Sequence, residues 1–162
     1  MSKELLNIAL EILIEVEGKS NIKSSNKFNT KYFNGIQIDK LTKMPLYMAI
    51  HLQNLGKLTI VLPAYYEDSS LDEIIENENE VIEFTTLPCE YFFEVAKLLK
   101  VDNPKIERIA TIRKNKLFFG ISKLEGKSVQ INNLTRWEFC EVKEFILKIM
   151  KTGSNIKVTS ND

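Results

Sequence analysis

The sequence predicts an α+β protein: a small β-rich domain with one short helix over residues 1–63, an α-helical domain over 64–152, and a flexible tail at 153–162. Three observations carry this. Ile8, Leu10, Ile12 and Ile14 alternate along the chain, the period of a half-buried strand. Leu58–Leu62 is a compact β-branched run that Pro63 stops. Beyond Pro63 the apolar residues recur three and four apart, the period of one helix face.

In chain order, the alternation predicts a strand from about Ile8 to Val16, with Gly18 as a turn. The Leu and Glu content of this stretch leaves a helix as the alternative. Residues 19–31 are rich in Asn and Ser and suit turns around a short strand. Asn34-Gly35 between apolar pairs is a hairpin signal. Pro45 opens a short apolar helix, Leu46–Leu55, and Gly56 suits its left-handed end. With Leu58–Leu62 these make a small sheet of about four strands, covered on one face by the helix. A domain of about 60 residues is marginally stable alone and leans on a partner or on the second domain.

In the second half, Ser70 and Glu73 read as a capping box for a helix from Leu71 to about Asn79. Pro88 introduces a helix over Cys89–Val101, striped by Phe92, Val95, Ala96 and Leu99 and flanked by Tyr91 and Leu98. Asn103-Pro104 caps a longer helix ending near Leu124, with Ile106, Ile109, Ala110, Leu117, Ile121 and Leu124 on its stripe. Arg113 falls in the middle of that stripe. A buried arginine needs a carboxylate from a neighbouring helix or subunit; snorkelling to solvent is the alternative. Phe118 and Phe119 are adjacent, so one of them must meet a second surface. Glu125-Gly126-Lys127 is a turn. Thr135 and Glu138 form a second capping box, with Leu134 and Phe139 as its staple. That helix runs to about Lys151, carrying Trp137 and Phe145 on its flanks, and Gly153 ends it.

Composition narrows the function classes. Lysine plus arginine equal aspartate plus glutamate at 22 each, so the chain is no bulk nucleic-acid binder. The charge is uneven: residues 64–88 hold eight acids and no base, a net of −8, against +3 before them and +5 after. The cluster Glu76, Glu78, Glu80 and Glu83 reads as a solvated face. No run is apolar enough to span a bilayer, and the N-terminus does not read as a signal peptide. Cys89 and Cys140 sit in apolar surroundings and read as reduced core thiols. One histidine, His51, cannot assemble a Cys/His zinc set or a catalytic pair by spacing. No catalytic, cofactor or metal residues are predicted. The Asn133-Leu134-Thr135 sequon reads as accidental.

Four stretches, in order, resemble the GINS complex of archaeal and eukaryotic replication. MPLYMAIHL at 44–52 is similar to that family's Val-Pro-Leu-Trp-Leu-Ala-Ile-Asn-Leu, with His51 in place of Asn. LTIVLPAYY at 58–66 matches its strand, proline and aromatic; FTTLPCEYFFEVAKLLK at 84–100 matches its Tyr-Tyr, Glu and Lys-Leu-Leu pattern. IATIRKNKLFFGISKL at 109–124 with NLTRWE at 133–138 resembles its long helix and Asn-Leu-Thr cap. Phe118, Phe119 and Gly120 depart from the polar run expected there and imply a more apolar interface. The resemblance is to the type whose small β domain comes first, Psf-two-like or Psf-three-like, and it is read as archaeal.

The resemblance implies a non-catalytic subunit that scaffolds and activates the MCM replicative helicase. It implies a sister GINS subunit in a tetramer, 2:2 in the archaeal form, with MCM, a RecJ-like or Cdc-forty-five-like protein and primase as further partners. DNA contact would be indirect or weak, membranes are not involved, and the location is cytoplasmic, at replication forks on the nucleoid. The helices carry more apolar arc than one chain of this size needs, so candidate subunit-interface residues are Tyr91, Leu98, Arg113, Phe118, Phe119, Trp137 and Phe145. The alternative is a nucleic-acid-binding module using the basic C-terminal helices.

Overall fold

The computed structural model describes residues 3–23, 35–122 and 131–158. The chain forms two compact units, Met1–Glu67 and Asp68–Asp162.

The first unit is a three-stranded antiparallel sheet with two short helices. Helix α1 spans Lys3–Ala9 and buries Leu5 and Ala9, one helical turn apart. Strand β1 spans Leu13–Gly18, β2 Leu41–Pro45 and β3 Leu58–Ile60, in the order β2-β1-β3. The strand expected from Ile8 therefore begins only at Leu13. The alternation holds only where Ile14 and Val16 point inward; before it, good helix formers wind a turn that buries Leu5. Central β1 sets Ile14 opposite Met44, and Val16 opposite Thr42 on one side and Ile60 on the other. Strand β2 was not expected, because its sequence barely alternates and its first residue, Leu41, stays exposed.

Gly18 is not a turn. It closes β1 and bridges Ile38 in parallel, and a Cβ there would run into the Gln37 carbonyl and the Ile36 side chain. The Asn34 half of the hairpin signal lies outside the described residues, as do Leu124 and the Glu125-Gly126-Lys127 turn; Ile36 pairs antiparallel with Ile22. Helix α2 covers Leu46–Asn54, anchored where Leu46 N donates to Ile12 O and Tyr47 N to Leu10 O. Gly56 takes φ +68°, the left-handed end expected. His51 is exposed.

The second unit is helical. Helix α3 spans Asp68–Glu80, so Ser70 and Glu73 lie inside it and do not cap it. Asp68 puts the negative charge at the helix's positive end, and Asn103 Nδ2 donates to its Oδ1 at 2.7 Å. Helix α4 is short, Phe92–Leu98, and ends before Lys100, which takes a positive φ. Helix α5 runs Pro104–Ser122, with Asn103 Oδ1 accepting from Lys105 N at 3.0 Å as its cap. Helix α6 runs Arg136–Val158, straight through Gly153. One interior glycine costs about 1 kcal/mol, too little to end a helix already propagating. Leu117, Ile121 and Val142 form the core between α5 and α6, with Phe84, Ile131, Leu134 and Ile146 packed against it. Cys140 is exposed and Cys89 half-buried, so neither is a fully enclosed core thiol.

Candidate functional site

The helical unit is assembled around one side chain. Arg113 is on the buried stripe of α5, 0% exposed, and does not reach solvent. Its five N–H donors are all used. Nε donates to Glu138 Oε1 at 2.7 Å, and Nη2 to Glu138 Oε2 at 3.0 Å and the Asn133 carbonyl at 2.6 Å. Nη1 donates to Glu78 Oε1 and, at 3.0 Å, to the Thr85 carbonyl. The Phe84 ring lies over the guanidinium, its centroid 4.9 Å from Cζ. The arginine thus ties α3, the segment after it, the α5–α6 connector and α6 to α5.

Each partner is positioned by local sequence. Leu71, Ile75 and Glu78 share one stripe of α3, so the stripe that buries the two aliphatics buries the carboxylate too. Glu78 was expected on a solvated face; instead it is fully buried. Asn133 takes φ +60°, a region asparagine tolerates, which lets its backbone face Arg113 while its Nδ2 donates to the Phe84 carbonyl. Glu138 closes the expected capping box: Thr135 N and Thr135 Oγ1 donate to its Oε2 at 2.8 and 2.9 Å. Phe139, expected as a staple residue, is half exposed.

The electrostatics follow. Burial pushes the Glu78 carboxyl up, but Lys116, Thr85 and Arg113 outweigh it and hold it below the usual carboxylate range. Lys116 Nζ reaches Glu78 Oε2 at 2.6 Å. Burial lowers the Arg113 pKa, and the two carboxylates more than restore it. Glu94 on α4 is the contrast: it is fully buried, its two oxygens have no side-chain hydrogen-bond partner among the described residues, and burial with the charges of Glu138 and Glu90 pushes its carboxyl up.

Around this interior, apolar side chains stay uncovered. Phe118 and Phe119 are 50% and 56% exposed, on two sides of α5. Phe118, Val142 and Phe145 line a cleft of about 350 Å³ between α5 and α6, with Trp137 and Glu138 beside them. Phe119 borders a larger hollow, about 780 Å³, with Phe84, Ile121, Ile131 and Ile82, the last 88% exposed. No groups of His, Cys, Asp or Glu that could hold a metal occur among the described residues.

Residues 65–157, more than half the chain, match the family described as Sld5, the GINS complex protein helical bundle domain. The chain belongs to the GINS family. Among its relatives, a protein of Encephalitozoon cuniculi described as "Probable DNA replication complex GINS protein PSF2" is 31% identical over 170 residues, covering 99% of this chain and 97% of the relative. The Drosophila melanogaster protein of the same description is 34% identical over 117 residues, covering 64% of this chain and 58% of the relative. The Xenopus laevis PSF2 is 35% identical, over 64% of this chain and 63% of the relative. The chain thus spans nearly all of the first protein and under two thirds of the other two. All three are eukaryotic, so the archaeal part of the expected affiliation has no support from them.

Against the GINS expectation, the candidate interface residues divide. Phe118, Phe119 and Phe145 are exposed; Tyr91, Leu98 and Trp137 are half-buried, Trp137 edge-on to Phe93 with ring centroids 5.1 Å apart. Arg113 is 0% exposed, enclosed by four segments of its own unit. The sequence reading missed Phe139, Leu147 and Ile82, which are exposed. It also missed Glu78 and Glu138 as the arginine's partners. The signal for Glu78 was present: a carboxylate on one buried stripe matches a cation on another.

Proposed function

We propose that this chain is a non-catalytic structural subunit of a GINS complex. In this reading the α5–α6 face packs against sister GINS subunits, and the assembly scaffolds and activates the MCM helicase at replication forks. A RecJ-like or Cdc-forty-five-like protein and primase are its further partners, with DNA contacted weakly or through them. The observation that carries the reading is the cleft between α5 and α6, where the uncovered rings of Phe118 and Phe145 stand with half-buried Trp137 over an interior already filled. Solvated single apolar residues are ordinary, whereas a run of large rings beside a cleft marks a partner surface.

A nucleic-acid module draws less from the basic C-terminal half than its charge suggests, because four of its fourteen cations are engaged within the chain. Arg113 is internal, while Lys105, Lys116 and Arg136 are paired with Asp72, Glu78 and Glu90. The test is co-expression with sister GINS subunits, followed by native mass measurement. A stable hetero-oligomer is expected, two copies of this chain marking the 2:2 form, and Phe118→Ser with Phe145→Ser should release the chain from it. A monodisperse monomer that ignores sister subunits, or tight DNA binding by the free chain that falls steeply with salt, would overturn the proposal.

A further inference from the structure

We infer that Arg113 is a positioning residue for subunit assembly: through Glu138 it couples the start of α6 to its docking on α5, and so sets the cleft that a sister subunit enters. The inference rests on the proposed use of that cleft.

One carboxylate does two jobs. Glu138 Oε2 accepts from Thr135 N at 2.8 Å, the bond that caps α6, and from Arg113 Nη2 at 3.0 Å, the bond that docks it. Oε1 completes the docking through Nε at 2.7 Å. Glu138 itself lies at the cleft, whose walls continue through Leu117 and Phe118 on α5 and Val142 and Phe145 on α6. Without the guanidinium fork, Glu138 becomes a buried anion with too few donors. Its escape is to rotate outward, and that movement also withdraws the acceptor from Thr135 N. Cap and dock therefore fail together. Further along α6 the docking rests on Val142 and the half-buried Ile146 against Leu117 and Ile121, an apolar contact that fixes distance better than angle.

The test uses the full chain. Amide hydrogen exchange is read over residues 137–142 in Arg113→Lys, Thr135→Ala and the double variant, alongside capture of co-expressed sister subunits. Each single change should speed exchange about fivefold or more, the scale of a lost cap. Because both act through Glu138, the double variant should speed it by clearly less than the product of the two. Should Arg113→Lys not fold, Arg113→Met with Glu138→Leu replaces the pair by apolar groups that keep such bundles folded. That variant should still unfold cooperatively, at a lower midpoint because the cap acceptor is gone, and capture sister subunits several-fold less well, since α6 has lost its angular fix. Strictly multiplicative effects, or undiminished capture by the apolar pair, would overturn the inference. Failure of the unaltered chain to bind sister subunits would instead sink the proposed function, while the exchange cycle still reports on the coupling.

Discussion

Arg113 and Glu138 meet fork to fork, Nε to Oε1 at 2.7 Å and Nη2 to Oε2 at 3.0 Å, with the arginine fully buried and the glutamate nearly so. A buried pair of this kind adds little net stability over an apolar replacement, but breaking it leaves a charge with nowhere to go. Its value to the fold is geometric. Five directed donors fix five acceptors in space, which no set of aliphatic contacts does.

Replacing Arg113 with lysine is therefore not conservative. An ammonium is a point donor and cannot span Glu78, Glu138 and two carbonyls at once. Arg113→Lys should lower stability by about 3–5 kcal/mol, measured by urea denaturation at neutral pH. A loss under about 1 kcal/mol would contradict the role given to the fork.

The same network predicts an acid limb. The Glu78 carboxyl lies below its ordinary value of 4.5 in the folded chain. A depressed folded pKa contributes stability that is fully present above 4.5 and is lost as pH falls through the folded value. Denaturation midpoints followed from pH 6 downward should fall below about pH 4.5. Glu78→Gln should start lower at neutral pH and show a shallower fall; an unchanged acid slope would show that other carboxylates carry it.

Glu94 predicts the opposite slope. Its carboxyl is raised by burial and by the nearby charges of Glu138 and Glu90, so the folded chain holds that proton above 4.5 and the unfolded chain does not. Stability should therefore decline as pH rises from 4.5 toward the folded value. Glu94→Gln, which cannot ionise, should remove this decline and raise the midpoint at neutral pH relative to the unaltered chain. Equal pH profiles for the two would refute it.

In the β unit, Gly18→Ala should destabilise. The added methyl meets the Gln37 carbonyl and the Ile36 side chain, and relieving it must part the Gly18–Ile38 bridge. A cost of about 1–3 kcal/mol is the scale for such overpacking. Gly56→Ala is the control: it meets no atom within 4 Å and suffers only its positive φ, so thermal melts of the two separate crowding from backbone strain.

The sequence by itself determined the order of elements after Pro45. Apolar stripes at helical spacing, Asn103, Thr135 and Glu138 as caps, and Gly56 as a stop are local signals, because capping and periodicity depend on neighbours a few residues away. It also placed Arg113 on an apolar stripe, leaving open whether the side chain met an acid or snorkelled to solvent. Where local signals compete, it misled: Leu5 to Ile12 fits strand or helix equally, Ser70 can cap or continue a helix, and Gly153 is tolerated inside α6.

Only the tertiary structure decided which acids answer Arg113, since Glu78 and Glu138 stand 35 and 25 residues away, and a place on a buried stripe or in a capping box does not say which cation the carboxylate meets. It likewise decided that the arginine faces inward while Phe118, one turn further and off the stripe, faces out. The physical reason is that burial is a property of what another segment covers. A helix carries its apolar stripe in its own sequence, but the surface that closes over that stripe comes from elsewhere in the chain.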